Sequence, residues 1–309
     1  MPDDQSWNSV PAMPSFVIME NTRTTLITGG TGGIGRAVAL RLARGGDRVL
    51  ITGRDATAGA EVLALLRQIA PNKDHEYLPA DLSLLRDTSG LADETLRRTE
   101  RLDAVVLCAG VLATVPEWTT ENLERAFVLN YLSRYLLARR LLPALTAAPS
   151  GRLVLVANAG RYRDTLDLED LQYRHQRAGL AVSGRTQFAN DLLAVELAER
   201  VAGTRVQVSC VDPGLSRTDV FRNARGPGRP LRALALLVQR IAAAEPDVAA
   251  VAPAWLARDP GAANAGGRFW TRGPQELAIP PRVQRPDRRA ALWAASEDLV
   301  SAHLQSSSH

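Results

Sequence analysis

The chain has 309 residues, 46% of them hydrophobic, enough to bury a substantial core, and no linker divides it, so one soluble globular domain is expected. The net charge is +4 with a pI of about 9.5, but the basic residues are scattered among 33 acidic ones. Phosphate recognition needs clustered positive charge, so nucleic-acid binding is excluded as a working reading.

Residues 1–22, which open MPDDQSWNSV, lack the basic start and apolar centre of a signal peptide and read as a flexible tail. No apolar run is long enough to span a bilayer, which takes about 18 residues or more, so a cytoplasmic protein is expected. From residue 24 apolar runs alternate with helical periodicity. TTLIT reads as a strand, a glycine-rich turn follows, GRAVALRLARGGD has helical spacing and a Gly-Gly stop, and RVLIT resumes as a strand. EYLPA, DAVVLCAG, RLVLVANAG and RVQVSCVDPG continue the strands, with helices expected near 58–70, 119–146, 185–201 and 246–257. Strands without polar alternation, separated by helices, imply an α/β fold: a single doubly wound, Rossmann-like parallel sheet covered on both faces. The expected domain covers 23–285, with a lid at 215–245, and 286–309 forms a C-terminal helix and tail. Such sheets bind ligands beyond the carboxyl ends of their strands. Cys108 and Cys210 fall inside apolar strands and are expected as buried thiols, neither disulfide nor metal site, in keeping with a reducing compartment.

The segment TGGTGGIG, Thr28–Gly35, lies between a strand and a helix. Glycines there permit a tight turn and let backbone approach a pyrophosphate seated at the helix N-terminus. The second strand ends in LITGRD, which places Arg54 where a carboxylate would select a ribose 2′-hydroxyl and a cation would select a 2′-phosphate. With Arg36 as a second cation, NADP(H) is the expected cofactor. The alternative is that both arginines are merely solvated and Asp55 caps the next helix.

The TGxxxGxG spacing resembles the short-chain dehydrogenase/reductase family, and further landmarks follow in order over roughly residues 23–300: ADL, LCAG, Asn130 in FVLNYL, GRLVLVAN and DPGLSRT. TGRD, SGRTQFAN, GGRFW and LWAASEDLV make the chain most similar to the retinol-dehydrogenase-like branch. The resemblance implies cofactor contacts at Thr28, Gly29, Thr31, Gly33, Ile34 and Gly35. It implies others at Asp81 and Leu82 near adenine, at Ala109 and Gly110, and at Pro213, Gly214 and Thr218 near the nicotinamide. It also implies a possible homodimer through the helices around 121–142 and 187–201.

Family members use a Tyr phenol as proton donor, a Lys four residues on that lowers its pKa and holds the nicotinamide ribose, an orienting Ser, and an Asn that completes a relay. Matching TQFAN to the family's SKxAN pattern puts Ser183 at the Tyr position and Gln187 at the Lys position; anchoring on AGLA puts Val182 and Thr186 there. Neither register restores the pair. Asn158 takes the serine position and Asn130 keeps the relay position, its alternative being a structural polar residue. The sole lysine, Lys73, lies ahead of the third strand. A serine hydroxyl is too short and too weakly acidic to replace a phenol, and an uncharged Gln187 can hydrogen-bond a ribose but not depress a neighbour's pKa.

Three readings follow: an oxidoreductase with a substitute acid, a non-redox enzyme such as a cyclase, isomerase or eliminase using the cofactor-bound scaffold, and a non-catalytic cofactor-binding protein. Tyr162 just past the fifth strand is the foremost substitute acid, with Tyr173 and His175 on the same excursion. Val220–Ala242 combines a Gly/Pro hinge with an apolar helix, as a lid over a lipophilic small-molecule substrate would, although core packing accounts for the same leucines.

Overall fold

The computed structural model describes residues 22–175, 179, 181–214 and 245–305. Eight strands form one sheet in the order β3-β2-β1-β4-β5-β6-β7-β8. The strands are β1 (Thr24–Thr28), β2 (Arg48–Gly53), β3 (Glu76–Pro79), β4 (Ala104–Leu107), β5 (Gly151–Val156), β6 (Val206–Asp212), β7 (Arg268–Thr271) and β8 (Glu276–Leu277). Every neighbouring pair is parallel except β7 with β8. The central strands β1, β4 and β5 are buried along their whole length, which is why their sequences run apolar without alternation.

One face is covered by α1 (Gly33–Arg44), α2 (Ala56–Ile69), α7 (Pro246–Ala249) and α8 (Val251–Arg258). The other carries α3 (Leu85–Arg98), α4 (Arg125–Phe127), α5 (Ser133–Thr146), α6 (Ala181–Arg200) and α9 (Pro286–Gln305). The sheet order reverses between β1 and β4, and a doubly wound sheet opens its ligand crevice at that point.

The helix expected over 119–146 begins only at α4, and a π-helical turn over Val128–Leu132 links it to α5. The extra residue per turn falls around Asn130, and such turns frequently mark functional sites. Sequence periodicity did not single out α3. Its inward stripe contains Thr88 and Thr95 beside Leu85, Leu91 and Ala92, with each threonine hydroxyl bonded back to a carbonyl four residues earlier. A stripe part threonine carries little hydropathy contrast.

The last helix, α9, packs on α5 and α6. Arg289, 4% exposed, pairs with Glu196 and Glu199, the Tyr131 hydroxyl meets Ser296 at 2.8 Å, and Trp293 lies edge-on to Tyr135. The chain's own terminal helix thus covers part of the surface that the resemblance assigned to a second copy. Among the described residues no helix is long and apolar enough to cross a membrane.

Candidate active site

The glycine loop joins β1 to α1, and its glycines are required for different reasons. Gly29 and Gly33 have φ of 66° and 49°, which side chains disfavour. A Cβ on Gly35 would stand 2.3 Å from the Gly29 carbonyl oxygen, so no other residue lets helix and strand approach this closely. Gly32, by contrast, would meet nothing within 4 Å. It stands at the N-terminus of α1, which has no side-chain cap and no acid in its first turn. The first amides of α1 are left for a ligand, and the helix dipole favours an anion there. Thr28 accepts the Ala109 amide at 3.1 Å and ties this loop to the end of β4. Thr31 packs against Gly53, where a Cβ would come within 2.5 Å of its hydroxyl.

Arg54, just past β2, and Arg36, in the first turn of α1, are exposed. Asp55 is spent as the cap of α2, accepting the Thr57 and Ala58 amides at 2.9 and 3.0 Å. Asp81 binds the Ser83 amide and hydroxyl through one carboxylate oxygen, and Leu82 turns its side chain into the core.

Beyond the carboxyl ends of β4, β5 and β6 lies a cleft of about 880 Å³ that brings together Ile34, Gly110, Asn158, Tyr162, Ser183, Gln187, Pro213 and Gly214. It is Ser183 and Gln187 that line it, whereas Val182 and Thr186 are wholly buried. The Ser183 hydroxyl both donates to the Ala113 carbonyl (2.8 Å) and accepts the Ala113 amide (2.7 Å). Gln187 leaves a buried carbonyl oxygen without a partner. That orphan acceptor, the open approach at Gly32 and the uncapped α1 all fit a dinucleotide lying across the loop with its nicotinamide end over β4–β6.

Asn130 stands behind the cleft wall rather than in it. Its side chain accepts the Val111 amide (2.8 Å) and donates to the Val111 carbonyl (2.9 Å) and the Thr186 hydroxyl (3.1 Å), clamping the turn after Gly110 to α6. Its own carbonyl receives the Asn190 side chain at 2.9 Å.

Tyr162 is half-buried, and its ring lies against the backbone of Gly184, where a Cβ would be 3.3 Å from the ring. Two anchors hold this loop. Arg282 donates to the carbonyls of Tyr162 and Gly160, and Arg161 pairs with buried Asp212. Tyr173 is buried under the guanidinium of Arg185, 4.2 Å from its ring, and the His175 side chain is 87% exposed beside Asp170; neither lines the cleft. Thr218 and residues 215–244 of the expected lid lie outside the described residues.

Residues 23–165 match the short chain dehydrogenase family. Polyprenol dehydrogenase of Mus musculus is 30% identical over 91% of this chain and 84% of its own length. Retinol dehydrogenase 14 of Mus musculus is 31% identical over 90% and 86%. The chain belongs to the short-chain dehydrogenase/reductase family. It falls in the retinol-dehydrogenase-like branch of this family of oxidoreductases. Among solved structures, an uncharacterised protein from Mycobacterium Paratuberculosis superposes with a TM-score of 0.70 at 26% identity, covering 90% of this chain and 93% of that one. A chain from Shigella flexneri 2a solved with NADP has a TM-score of 0.62 at 24% identity, covering 82% and 97%, a likeness of fold.

This family member carries site residues that sequence reasoning did not single out. Arg134 on α5 lines the cleft while only 3% exposed, and Cys108, Arg161, Asp212 and Arg272 join it. The one visible signal for Arg134 was a charge inside the apolar run NYLSRYLL. Cys210 is a buried free thiol and Cys108 a half-buried one, and burial pushes the Cys108 thiol up to about 12. Asp191, one turn beyond Gln187, is 1% exposed; burial raises its carboxyl to about 7 despite the Gly160 amide that it accepts at 3.0 Å. Lys73 bonds Thr22 at the opposite, amino-terminal edge of the sheet and cannot serve the cleft.

Proposed function

We propose that this protein is an NADP(H)-dependent oxidoreductase that interconverts a carbonyl and an alcohol on a lipophilic small molecule, with Tyr162 as proton donor in a non-standard site. The observation that carries the reading is the pairing of Ser183 with Tyr162. The serine hydroxyl is consumed on both sides by Ala113, while Tyr162 is the phenol that lines the same cleft and rests on the adjoining residue.

NADPH held by the Thr28–Gly35 loop would supply hydride chemistry at the carbonyl carbon, and this chain would have to supply a proton to the oxygen. Tyr162 would give that proton and take it back in the reverse direction, and Asn158, which lines the same cleft, would donate an amide hydrogen bond to the same oxygen. Exposed Arg54, with Asp55 withdrawn into its helix cap, favours a 2′-phosphate over a bare ribose hydroxyl. Val111, Leu112, Val156 and Ala157 give the cleft apolar walls, and the names of the polyprenol and retinol dehydrogenases fit a lipophilic substrate here too.

The test is transfer of label. With retinal as the probe aldehyde, 4S-deuterated NADPH passes deuterium to the alcohol product, and Tyr162→Phe slows the transfer far more than Ser183→Ala. Consumption of the probe without label or net NADPH oxidation would point to the non-redox reading. Tight NADPH binding with no turnover of retinal or a polyprenal would point to the non-catalytic one.

A further inference from the structure

Among the described residues Arg134 is a cation with no counter-charge. It stands on α5 one turn after Asn130 and lines the cleft with Cys108 and Gly110. One terminal nitrogen donates to the Ala109 carbonyl at 2.8 Å, and its Nε and other terminal nitrogen are buried with no acceptor. The ionisable groups that act on it are the thiols of Cys108 and Cys210, not carboxylates. Burial lowers its pKa only to about 10, so it stays charged at neutral pH. Burying an unpaired cation is costly, and a buried, perturbed charge in a cleft marks a candidate ligand site.

Its place decides which part of a ligand feels it. The sheet order reverses between β1 and β4, so a dinucleotide straddles that crevice. The adenine half lies toward β2 and β3, on the Arg54 side, and the other half lies over β4, β5 and β6, where Arg134 and the orphan Gln187 oxygen line the wall. The two redox forms of that half differ by one charge: the oxidised nicotinamide ring is a cation and the reduced ring is neutral. A guanidinium walled off from water repels the first and not the second, because Coulomb interactions weaken little in a dry, low-dielectric setting.

We propose that Arg134 makes the nicotinamide end of the cleft electropositive, so that the protein holds NADPH more tightly than NADP+ and releases the oxidised form. This rests on the cofactor assigned under the proposed function and adds a direction to it. It also places a buried cation of the site on α5, beside Arg161 and Arg272 at the same cleft, where α6 carries Gln187.

The experiment compares dissociation constants for NADPH, NADP+ and adenosine 2′,5′-bisphosphate, which spans the adenine half alone, in the full chain and its Arg134 variants. The parent binds NADPH at least about tenfold more tightly than NADP+, Arg134→Lys keeps that ratio, and Arg134→Met brings it within about threefold. The bisphosphate binds all three alike, which shows the variants folded. A purely structural role would weaken both dinucleotides together and leave the ratio unmoved, which overturns the inference. So does a parent ratio near one. Binding of the bisphosphate but of neither dinucleotide also overturns it, while binding of none of the three by the parent defeats the cofactor assignment itself. Should Arg134→Met fail to bind the bisphosphate, Arg134→Gln, which keeps donors and loses charge, answers the same question.

Discussion

The two halves of the sheet encode their tasks differently. Around β1, β2 and α1 the chain works through backbone: positive-φ glycines, a Gly35 that no side chain can replace, and an uncapped helix start. Around β4, β5, β6 and α6 it offers side chains: Ser183 bound to Ala113, Gln187 with an orphan oxygen, Arg134 with no counter-ion among the described residues, and Tyr162 brought in by a loop. Backbone function tolerates little substitution because the constraint is steric. Side-chain function can move between elements, because a phenol or a cation serves wherever its end group reaches the same space. The first half therefore keeps its family spelling while the second departs from it.

The sharpest way to break this contrast is Gly35→Val. Its side chain would collide with the Gly29 backbone, so dinucleotide affinity falls by roughly 100-fold or more in calorimetric titration. Near-parent affinity would mean that the loop is not the cradle. Next in size is the phenol. Tyr162→Phe lowers the single-turnover rate with retinal by about 10²–10⁴-fold. Ser183→Ala, which loses only the two internal bonds to Ala113, changes it by less than about threefold. The reverse ranking would return the proton to α6.

Asp191 shows how deeply the half around β4–β6 buries its charges. Its carboxyl titrates near 7 in the fold against about 3.8 unfolded, because burial disfavours its charged form. Between those values the folded state binds more protons than the unfolded one, so the contribution is fully present below about pH 4 and is lost as pH rises through 7. Asp191→Asn, which carries no charge, should be stabilised relative to the parent at pH 8, by on the order of 2–4 kcal/mol in urea unfolding, and hardly at all at pH 4. An equal gain at both pH values would refute burial as the cause. The smallest expected effect is in the adenine half, where Arg54→Asp shifts the preference from NADPH toward NADH by roughly tenfold. Equal affinities of the parent for the two cofactors would remove the argument for a 2′-phosphate.

Much of the site was legible because some of its rules are local. The glycine loop announced itself by spacing between a strand and a helix, and Asp55 was readable as a cap of the next helix, which it is. Helix α3 was obscured by threonines on its inner stripe, and Arg134 looked like one more arginine in an arginine-rich chain.

By itself the sequence determined the alternation of strands and helices, the parallel sheet and the glycine cradle, since hydrophobic period and glycine geometry act over a few residues. Only the tertiary structure decided between Ser183/Gln187 and Val182/Thr186, because a shift of one residue on a helix turns a side chain by about 100° and only packing says which face meets the cleft. It also separated Tyr162 from Tyr173 and His175, neighbours on one loop whose ends point to different places. And it brought Arg134, more than 50 residues before Gln187, into the same wall, a juxtaposition set by α6 packing against the π-helical turn that leads into α5 and invisible along the chain.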